Sequence, residues 1–542
     1  MDNKEYLKEI PSVNLLLQSE QGKSLIDRYS HEVVVEAIRE SIDRFRQKQV
    51  QRAKEYNRLI EADQADQAVK AYKEEKIYKA DQVYKADSVE KEGKKDIQEY
   101  ILNAAQEMIE EKFAPSLKRT INGTGTIIHT NLGRAKLSPA TKEALLDAAF
   151  SFSNLEYDIH EGSRGSRYQH LEDMLCELTG AQGALVVNNN AAAIMLVLDT
   201  MAKGKEVIVS RGELVEIGGS FRVPEIIELS GCKLKEVGTT NKTHKVDYER
   251  ALGEETGAIL KVHCSNYKIT GFTESVSING LSGVLCNHND VNSDDGAGSD
   301  NSEGDDATSN DVHGYSEVNF SVCNNEIPII YDMGSGMLIN LEKYGLPYEM
   351  TVKDSLEQGA DIVTFSSDKV LGGPQGGIIV GKKKYIDAIK KNQLTRTLRV
   401  EKMTIATLEA TLRLYYDEQQ ALKEIPTLKM LVTPLEELEK KAKDLANQLL
   451  GLEEKLTVEI IDTTSQVGGG AYPGEEIKSK GVALSSDLLS ANQLSERLRK
   501  ASVPIISKIR NQKCELDVRT LEESEFAQIV HTLTEIIQNE MS

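Results

Sequence analysis

A lysine that closes one buried strand and opens a glycine loop is the most chemically suggestive residue of this 542-residue chain. The stretch reads Thr364-Phe365-Ser366-Ser367-Asp368-Lys369-Val370-Leu371-Gly372-Gly373-Pro374-Gln375-Gly376-Gly377. It starts as the apolar strand Ile362–Phe365, offers hydroxyls, a carboxylate and an amine, and crosses four glycines to a second apolar run, Ile378–Val380. Sheets of α/β proteins place their chemistry at such strand ends. Ser366 and Ser367 present hydroxyls to a phosphate, and the glycines let backbone approach a flat ligand. Those are the needs of a lysine that forms a Schiff base with pyridoxal 5'-phosphate. Taken alone, Lys-x-x-Gly-Gly reads equally as a surface lysine in a glycine turn, so partners elsewhere must decide.

Two partners lie upstream. Val186-Val187-Asn188-Asn189-Asn190-Ala191-Ala192-Ala193 joins a buried strand to a helix start. The amides around Asn189, Asn190 and Ala191 would hold a phosphate at the positive end of that helix, although alone the segment is an ordinary capped helix. Pro328-Ile329-Ile330-Tyr331-Asp332-Met333-Gly334-Ser335-Gly336 ends a strand with an aspartate. The Asp332 carboxylate can bond the protonated ring nitrogen of the cofactor and keep the ring an electron sink. Phosphate turn, aspartate and lysine follow one another in the order that fold-type I enzymes dependent on this cofactor use.

The elements that must position these residues are legible as a rhythm. Ala184–Val187, Val207–Val209, Leu234–Val237, Ala258–Val262, Ile327–Tyr331, Ile362–Phe365 and Ile378–Val380 are short apolar runs, mostly separated by segments long enough for helices. That alternation predicts an α/β fold with a mostly parallel sheet and crossover helices over residues 114–400. Residues 1–113 are helical in pattern, with an apolar cluster over Leu7–Leu17 and a long helix from His31 to about Ile60. Arg44, Lys48 and Arg52 recur every four residues there and make one side basic. That side reads as a solvated face or as a set of phosphate-backbone contacts. Residues 401–542 form a smaller α/β domain: helices at 403–422 and 434–452, strands near 458–461 and 481–485, a helix at 491–500, a strand pair flanking Asn511-Gln512 and a closing helix at 522–539.

Two segments interrupt this plan. An imperfect six-residue repeat, Tyr72 to Val89, lies in an insertion over about 61–95, and six is no coiled-coil period. From about 287 to 318 there are about nine acidic residues and no Lys or Arg, the composition of a disordered loop. The net charge of −21 is therefore unevenly spread, with roughly −12 left for the rest of the chain, so the whole-chain sum is a poor guide to partners. The N-terminus carries no apolar signal segment, no stretch is long enough to span a bilayer, and six cysteines are scattered without CxxC spacing. Neither a metal site nor a disulfide framework is expected, and a cytoplasmic location fits.

The chain resembles the bacterial selenocysteine synthase family, the L-seryl-tRNA(Sec) selenium transferases. The resemblance is carried by residues 121–135 (Ile121-Asn122-Gly123-Thr124-Gly125 through Arg134-Ala135), Gly162-Ser163-Arg164-Gly165-Ser166-Arg167, and Val187-Asn188-Asn189-Asn190-Ala191-Ala192. It continues through residues 210–219, Ser265-Asn266-Tyr267, Asp332-Met333-Gly334-Ser335-Gly336, Phe365-Ser366-Ser367-Asp368-Lys369 and Arg396-Thr397-Leu398-Arg399. It lapses at the Tyr-Lys repeat and the acidic insertion.

The resemblance implies β-elimination of the seryl hydroxyl of L-seryl-tRNA(Sec) to an aminoacrylate, then addition of selenium from selenophosphate, with pyridoxal 5'-phosphate as cofactor. It implies catalytic roles for Lys369, Asp332 and Asp368. It implies cofactor contacts from Asn189, Asn190, Ala191, Asp332, Ser366, Ser367 and Lys369. Arg134, Arg396 and Arg399 match the family's anion-binding arginines, and Arg396 and Arg399, three apart on a helical turn, would point the same way. The N-terminal helices would recognise tRNA, with Arg44, Lys48 and Arg52 as candidate contacts, and the assembly would be a homodecamer, a ring of five dimers. The nearest rival is a β-eliminating lyase with the same cofactor acting on a small amino acid or amino-sugar acid. A tRNA-binding protein with a vestigial cofactor site is a second.

Overall fold

The computed structural model describes residues 10–64, 94–219, 221–293, 327–452 and 455–541. The Tyr-Lys repeat lies outside these residues, as does most of the acidic insertion. The first residues of that insertion are helical: the helix Ile278–Ser293 carries on through them, because the apolar face of Ile278, Leu281, Val284 and Leu285 anchors it from the N-terminal side. Among the described residues, no helix is long and apolar enough to cross a membrane. Cys286 is disulfide-bonded, which the scattered spacing does not lead one to expect. The chain divides into two compact units, Met1–Lys118 and Arg119–Ser542.

In the first unit, α1 (His31–Gln64) and α2 (Lys94–Phe113) carry the packing. Val34, Ile38, Ile42 and Phe45 recur at helical spacing on α1 and meet Ile97, Ile101, Leu102, Ala105 and Ile109 of α2. The short helices Val13–Gln18 and Glu20–Arg28 close this core with Leu16 and Leu25.

The second unit is built on a seven-stranded sheet. Its strands are β1 (Gly183–Val187), β2 (Glu206–Ser210), β3 (Lys233–Val237), β4 (Thr256–Val262), β5 (Ile329–Gly334), β6 (Ile362–Ser366) and β7 (Gly377–Gly381). All seven apolar runs are strands of this one sheet, in the order β1-β7-β6-β5-β4-β2-β3. Every neighbouring pair is parallel except β6/β7 and β7/β1. Side chains alternate between faces, and both faces are buried. Ala184, Val186, Ile208, Ile378 and Val380 enter one core, while Leu185, Val187, Val207, Val209 and Ile379 enter the other. A sheet covered on both sides needs such unbroken apolar runs, which is why its strands stand out in the sequence.

A second, five-stranded sheet contains Leu456–Gly468, Glu476–Ser486, Lys508–Arg510 and Lys513–Asp517. Its fifth strand comes from far upstream: Thr126–Ile128 pairs in parallel with Gln466–Gly468, and Ile121–Asn122 pairs with Ile505–Ile506. The two long strands exceed the expected 458–461 and 481–485, since their outer halves alternate toward solvent and lack a continuous apolar signal. The helix expected over 403–422 is two, Lys402–Leu414 and Glu418–Glu424. Asp417 starts the second by accepting from the amides of Gln419 and Gln420.

Candidate active site

Asp332, Lys369 and Asn190 lie at or just past strand ends of the large sheet. Asp332 lies near the end of β5, in register with Val262 of β4 and Thr364 of β6. Lys369 follows β6 by three residues. The helix α3 (Asn190–Met201) begins just after β1.

Asp332 is 4% exposed. Asn190 Nδ2 donates to its Oδ1 at 2.7 Å and the Thr364 hydroxyl at 3.3 Å. Among the described residues no side chain donates to Oδ2, which leaves that oxygen for a ligand. Burial pushes the Asp332 carboxyl up, opposed by the Asn190 hydrogen bond, the charge of Lys369 and the Thr364 hydroxyl.

Lys369 lies half-buried beside both sheets. A Cβ on Gly334 of β5 would stand 3.7 Å from its Nζ, and a Cβ on Gly470 would stand 2.4 Å from its Cδ. Gly470 (φ +97°) therefore has two reasons to lack a side chain: the left-handed backbone and the lysine against it. Burial pushes the Lys369 amine below the usual lysine range, opposed by Asp332 and Asp368 and reinforced by Arg134. Asp368 is partnered by Arg134, with Nη1 2.6 Å from Oδ2, and its carbonyl accepts the Ala135 amide at 3.2 Å. Arg134 reaches it from a left-handed conformation (φ 59°) after Gly133. Such a conformation costs a non-glycine residue about 1–2 kcal/mol.

The phosphate turn takes the form of a capped helix N-terminus. Asn189 accepts the Ala192 amide on its side chain at 2.9 Å and the Ala193 amide on its carbonyl at 3.0 Å. The helix starts at Asn190, three residues past the end of β1. Asn190 Oδ1 is buried without a partner.

Three expectations change. Ser367 is wholly buried, and its hydroxyl donates to the carbonyls of Pro374 (2.5 Å) and Gly376 (3.3 Å). Its one proton is committed to closing the loop, while Ser366 is buried at the end of β6, opposite Gly377. The loop glycines meet protein rather than a flat ligand: a Cβ on Gly377 would stand 2.0 Å from the Asn189 carbonyl oxygen, so glycine there lets β7 touch the start of α3. Finally, the short helix ends at Thr397, so Arg396 and Arg399 do not share a helical face.

Arg396 is exposed. Arg399 forms an isolated bridge with Val187 at the end of β1, and its guanidinium lies 3.4 Å from Glu156. Arg164 at 3.4 Å and Arg167 also hold that carboxylate. The Arg167 hydrogen bond holds Glu156 below the usual carboxylate range. Within one chain, then, Lys369, Asp332, Asp368, Arg134 and Asn190 come together, and the described contacts do not bring Arg396 or Arg399 to Lys369.

In the first unit, Arg44 pairs with Glu40 at 2.8 Å and the Lys48 ammonium sits 5.8 Å from the centre of the Tyr100 ring. The side chain of Arg52 lies outside the described residues. Residues of the site that the sequence did not single out include Thr364, Glu156, His263 and Gly470. Only Gly470 had a local signal, the run Gly468-Gly469-Gly470 that ends a strand.

A mostly parallel sheet with a half-buried lysine and a buried aspartate at adjacent strand ends is the fold-type I architecture of enzymes dependent on pyridoxal phosphate. The family model described as L-seryl-tRNA selenium transferase matches residues 120–303 and 314–522, and the one described as selenocysteine synthase N terminal matches residues 7–46. The chain belongs to the L-seryl-tRNA(Sec) selenium transferase family. It is similar to the L-seryl-tRNA(Sec) selenium transferase of Alkaliphilus metalliredigens, 52% identical over 77% of this chain and 82% of that protein. The protein of the same name from Clostridium botulinum strain Okra is 39% identical over 99% of this chain and 100% of its own length. Among solved structures, a D-glucosaminate-6-phosphate ammonia-lyase aligns with TM-score 0.51 at 20% identity, over 80% of this chain and 99% of that one, a likeness of fold.

Proposed function

We propose that this protein converts L-seryl-tRNA(Sec) to L-selenocysteinyl-tRNA(Sec), using pyridoxal 5'-phosphate as cofactor and selenophosphate as selenium donor. The observation that carries this reading is the proximity of Lys369 and Asp332 at neighbouring strand ends in a chain of this family. The β-hydroxyl leaves the seryl group as water, selenium adds at the β-carbon, and water cleaves the phosphorus–selenium bond, so phosphate is the by-product.

When bound, the cofactor withdraws electrons from the α-carbon of the substrate and makes its proton acidic. The residues present suit that group. Asp332 offers the free Oδ2 to a ring N–H, the α3 N-terminus offers amides to a phosphate, and Asn190, the first residue of α3, bonds Asp332 through Nδ2 and keeps an unpartnered Oδ1. Lys369 would move the α-proton: burial favours its neutral amine, the form that accepts one. Asp368 would orient Arg134, whose fixed charge attracts the anionic donor. Ser367 would shape the loop rather than touch the phosphate, because its hydroxyl is committed to loop carbonyls, while Ser366 keeps its assignment as a cofactor contact.

Arg396 and Arg399 are assigned to the same anion. Arg399 is bridged to Val187, directly before the Asn188–Asn190 turn, and the assembly assigned to the protein is a ring of dimers. The α1 surface at Arg44, Lys48 and Arg52 is the proposed tRNA contact, and the cytoplasm the proposed location. The deciding experiment incubates the protein with seryl-tRNA(Sec), pyridoxal 5'-phosphate and selenophosphate and identifies the aminoacyl group, with free serine run beside it. Selenocysteine on the tRNA is expected. Turnover of free serine with the tRNA unchanged would replace this reading with that of a lyase.

A further inference from the structure

Behind Asp332 lies a pair that the proposed reaction does not use, a His263 side chain 24% exposed and a more deeply set Glu349. His263 directly follows β4, and its amide donates to the Asp332 carbonyl at 2.9 Å. Its Nε2 stands 3.5 Å from Oε1 of Glu349, whose side chain is 8% exposed. Both atoms are buried without a hydrogen-bond partner. Two such atoms facing each other carry a desolvation penalty unless a shared proton joins them. The other oxygen of Glu349 accepts the Tyr472 amide at 2.8 Å. Tyr472 stands two residues past Gly470, so the pair links the strand end beside Asp332 to the segment that covers Lys369.

Charge balance gives the pair a task. Asp332 and Glu349 are two buried acids, and the cations acting on Asp332 are Lys369 and His263. Of the other titratable groups facing this space, Lys268 pairs with Glu475 at 3.1 Å, Lys242 and Glu274 carry opposite charges, and burial pushes up the phenols of Tyr267 and Tyr348. Burial pushes up the phenols of Tyr331 and Tyr472 and the thiol of Cys264, and Glu213 is cancelled by Lys261 at 2.7 Å. Lys369 cannot serve as a constant counter-charge, because its amine must engage cofactor and protons in turn.

We infer that Glu349 holds His263 as an imidazolium, and that this fixed cation keeps Asp332 ionised while Lys369 changes partners. Both are positioning residues. The inference rests on the proposed cofactor, and its test is read from cofactor binding without tRNA. A protein that binds as expected but leaves seryl-tRNA unchanged would therefore overturn the proposed function and leave this pair standing.

The experiment measures the dissociation constant of pyridoxal 5'-phosphate between pH 6 and 8 for the cofactor-stripped wild type, His263→Gln, Glu349→Gln and the double variant. Melting temperatures establish that each is folded. Without the cation, Asp332 takes up a proton at higher pH, so the ratio of variant to wild-type constant grows as pH falls. About tenfold weakening is expected for His263→Gln at the acid end, the scale of one lost charge interaction. Glu349→Gln shifts the same way, and the double variant is no weaker than His263→Gln, because Glu349 acts through the imidazole. A ratio independent of pH, or losses that multiply in the double variant, would overturn the inference. Should His263→Gln not fold, Glu349→Gln decides alone: a constant equal to wild type across the range refutes it.

Discussion

Burying Asp332 has a cost that the cofactor-free protein should reveal. Its carboxyl is pushed up by burial, so the folded state binds its proton at a higher pH than the unfolded chain does. The stability this group contributes is complete below the unfolded value of about 4 and is lost as pH rises through the folded value. Asp332→Asn removes that dependence. In calorimetry without cofactor, the variant should melt close to the wild type at pH 4–5 and above it at pH 8, while binding cofactor far more weakly. A variant that loses stability at pH 8 would mean the carboxylate is already satisfied within the protein. The same trade between stability and a charged, function-ready site is general.

At the scale of elements, the closeness of β7 to the start of α3 depends on one missing side chain. Gly377→Ala would bring a Cβ to 2.0 Å from the Asn189 carbonyl, and only backbone could move. Overpacking of this kind costs about 1–3 kcal/mol, and it would displace the Asn190 donor to Asp332. Weakened cofactor binding by tenfold or more is expected in equilibrium dialysis, with the secondary structure unchanged by circular dichroism. In the first unit, Ile101 is completely buried on α2. Ile101→Ala should remove about 2–5 kcal/mol from that unit and lower its melting transition. On α1, Arg44 and Lys48 lie at the surface, and pairs such as Arg44–Glu40 contribute little to stability. Replacing both by alanine should leave melting unchanged while reducing the slope of log affinity for tRNA against log salt by about 2. An unchanged slope would remove them from the tRNA surface.

Across the whole molecule, what could be read from the sequence follows from how local each constraint is. Six strands of the large sheet were legible because burial on both faces forces apolar runs, whereas the edge strand β3, Lys233-Leu234-Lys235-Glu236-Val237, is only partly buried; Asp332 and Lys369 were legible because they sit where such runs stop. The parallel pairing of Thr126–Ile128 with Gln466–Gly468 was not legible, since three residues hold no register and their partner lies more than three hundred positions away. Nor was the commitment of the Ser367 hydroxyl to the carbonyls of Pro374 and Gly376, because a serine before a lysine looks the same whether it faces a ligand or its own loop. The split of the 403–422 helix did have a local sign, Asp417 as an N-cap, but continuous apolar spacing masked it. Gly470 shows the remaining limit: its need to be glycine arises from a lysine a hundred residues earlier, brought there by the joining of two sheets.

That joining is what the account depends on, because it puts a single amine within reach of both the aspartate and the glycine segment. Loading the protein with pyridoxal 5'-phosphate, fixing it with borohydride and mapping the modified peptide by mass spectrometry tests this most directly. The label should fall on Lys369 and vanish in Lys369→Ala. A label on another lysine, or none, would contradict the account.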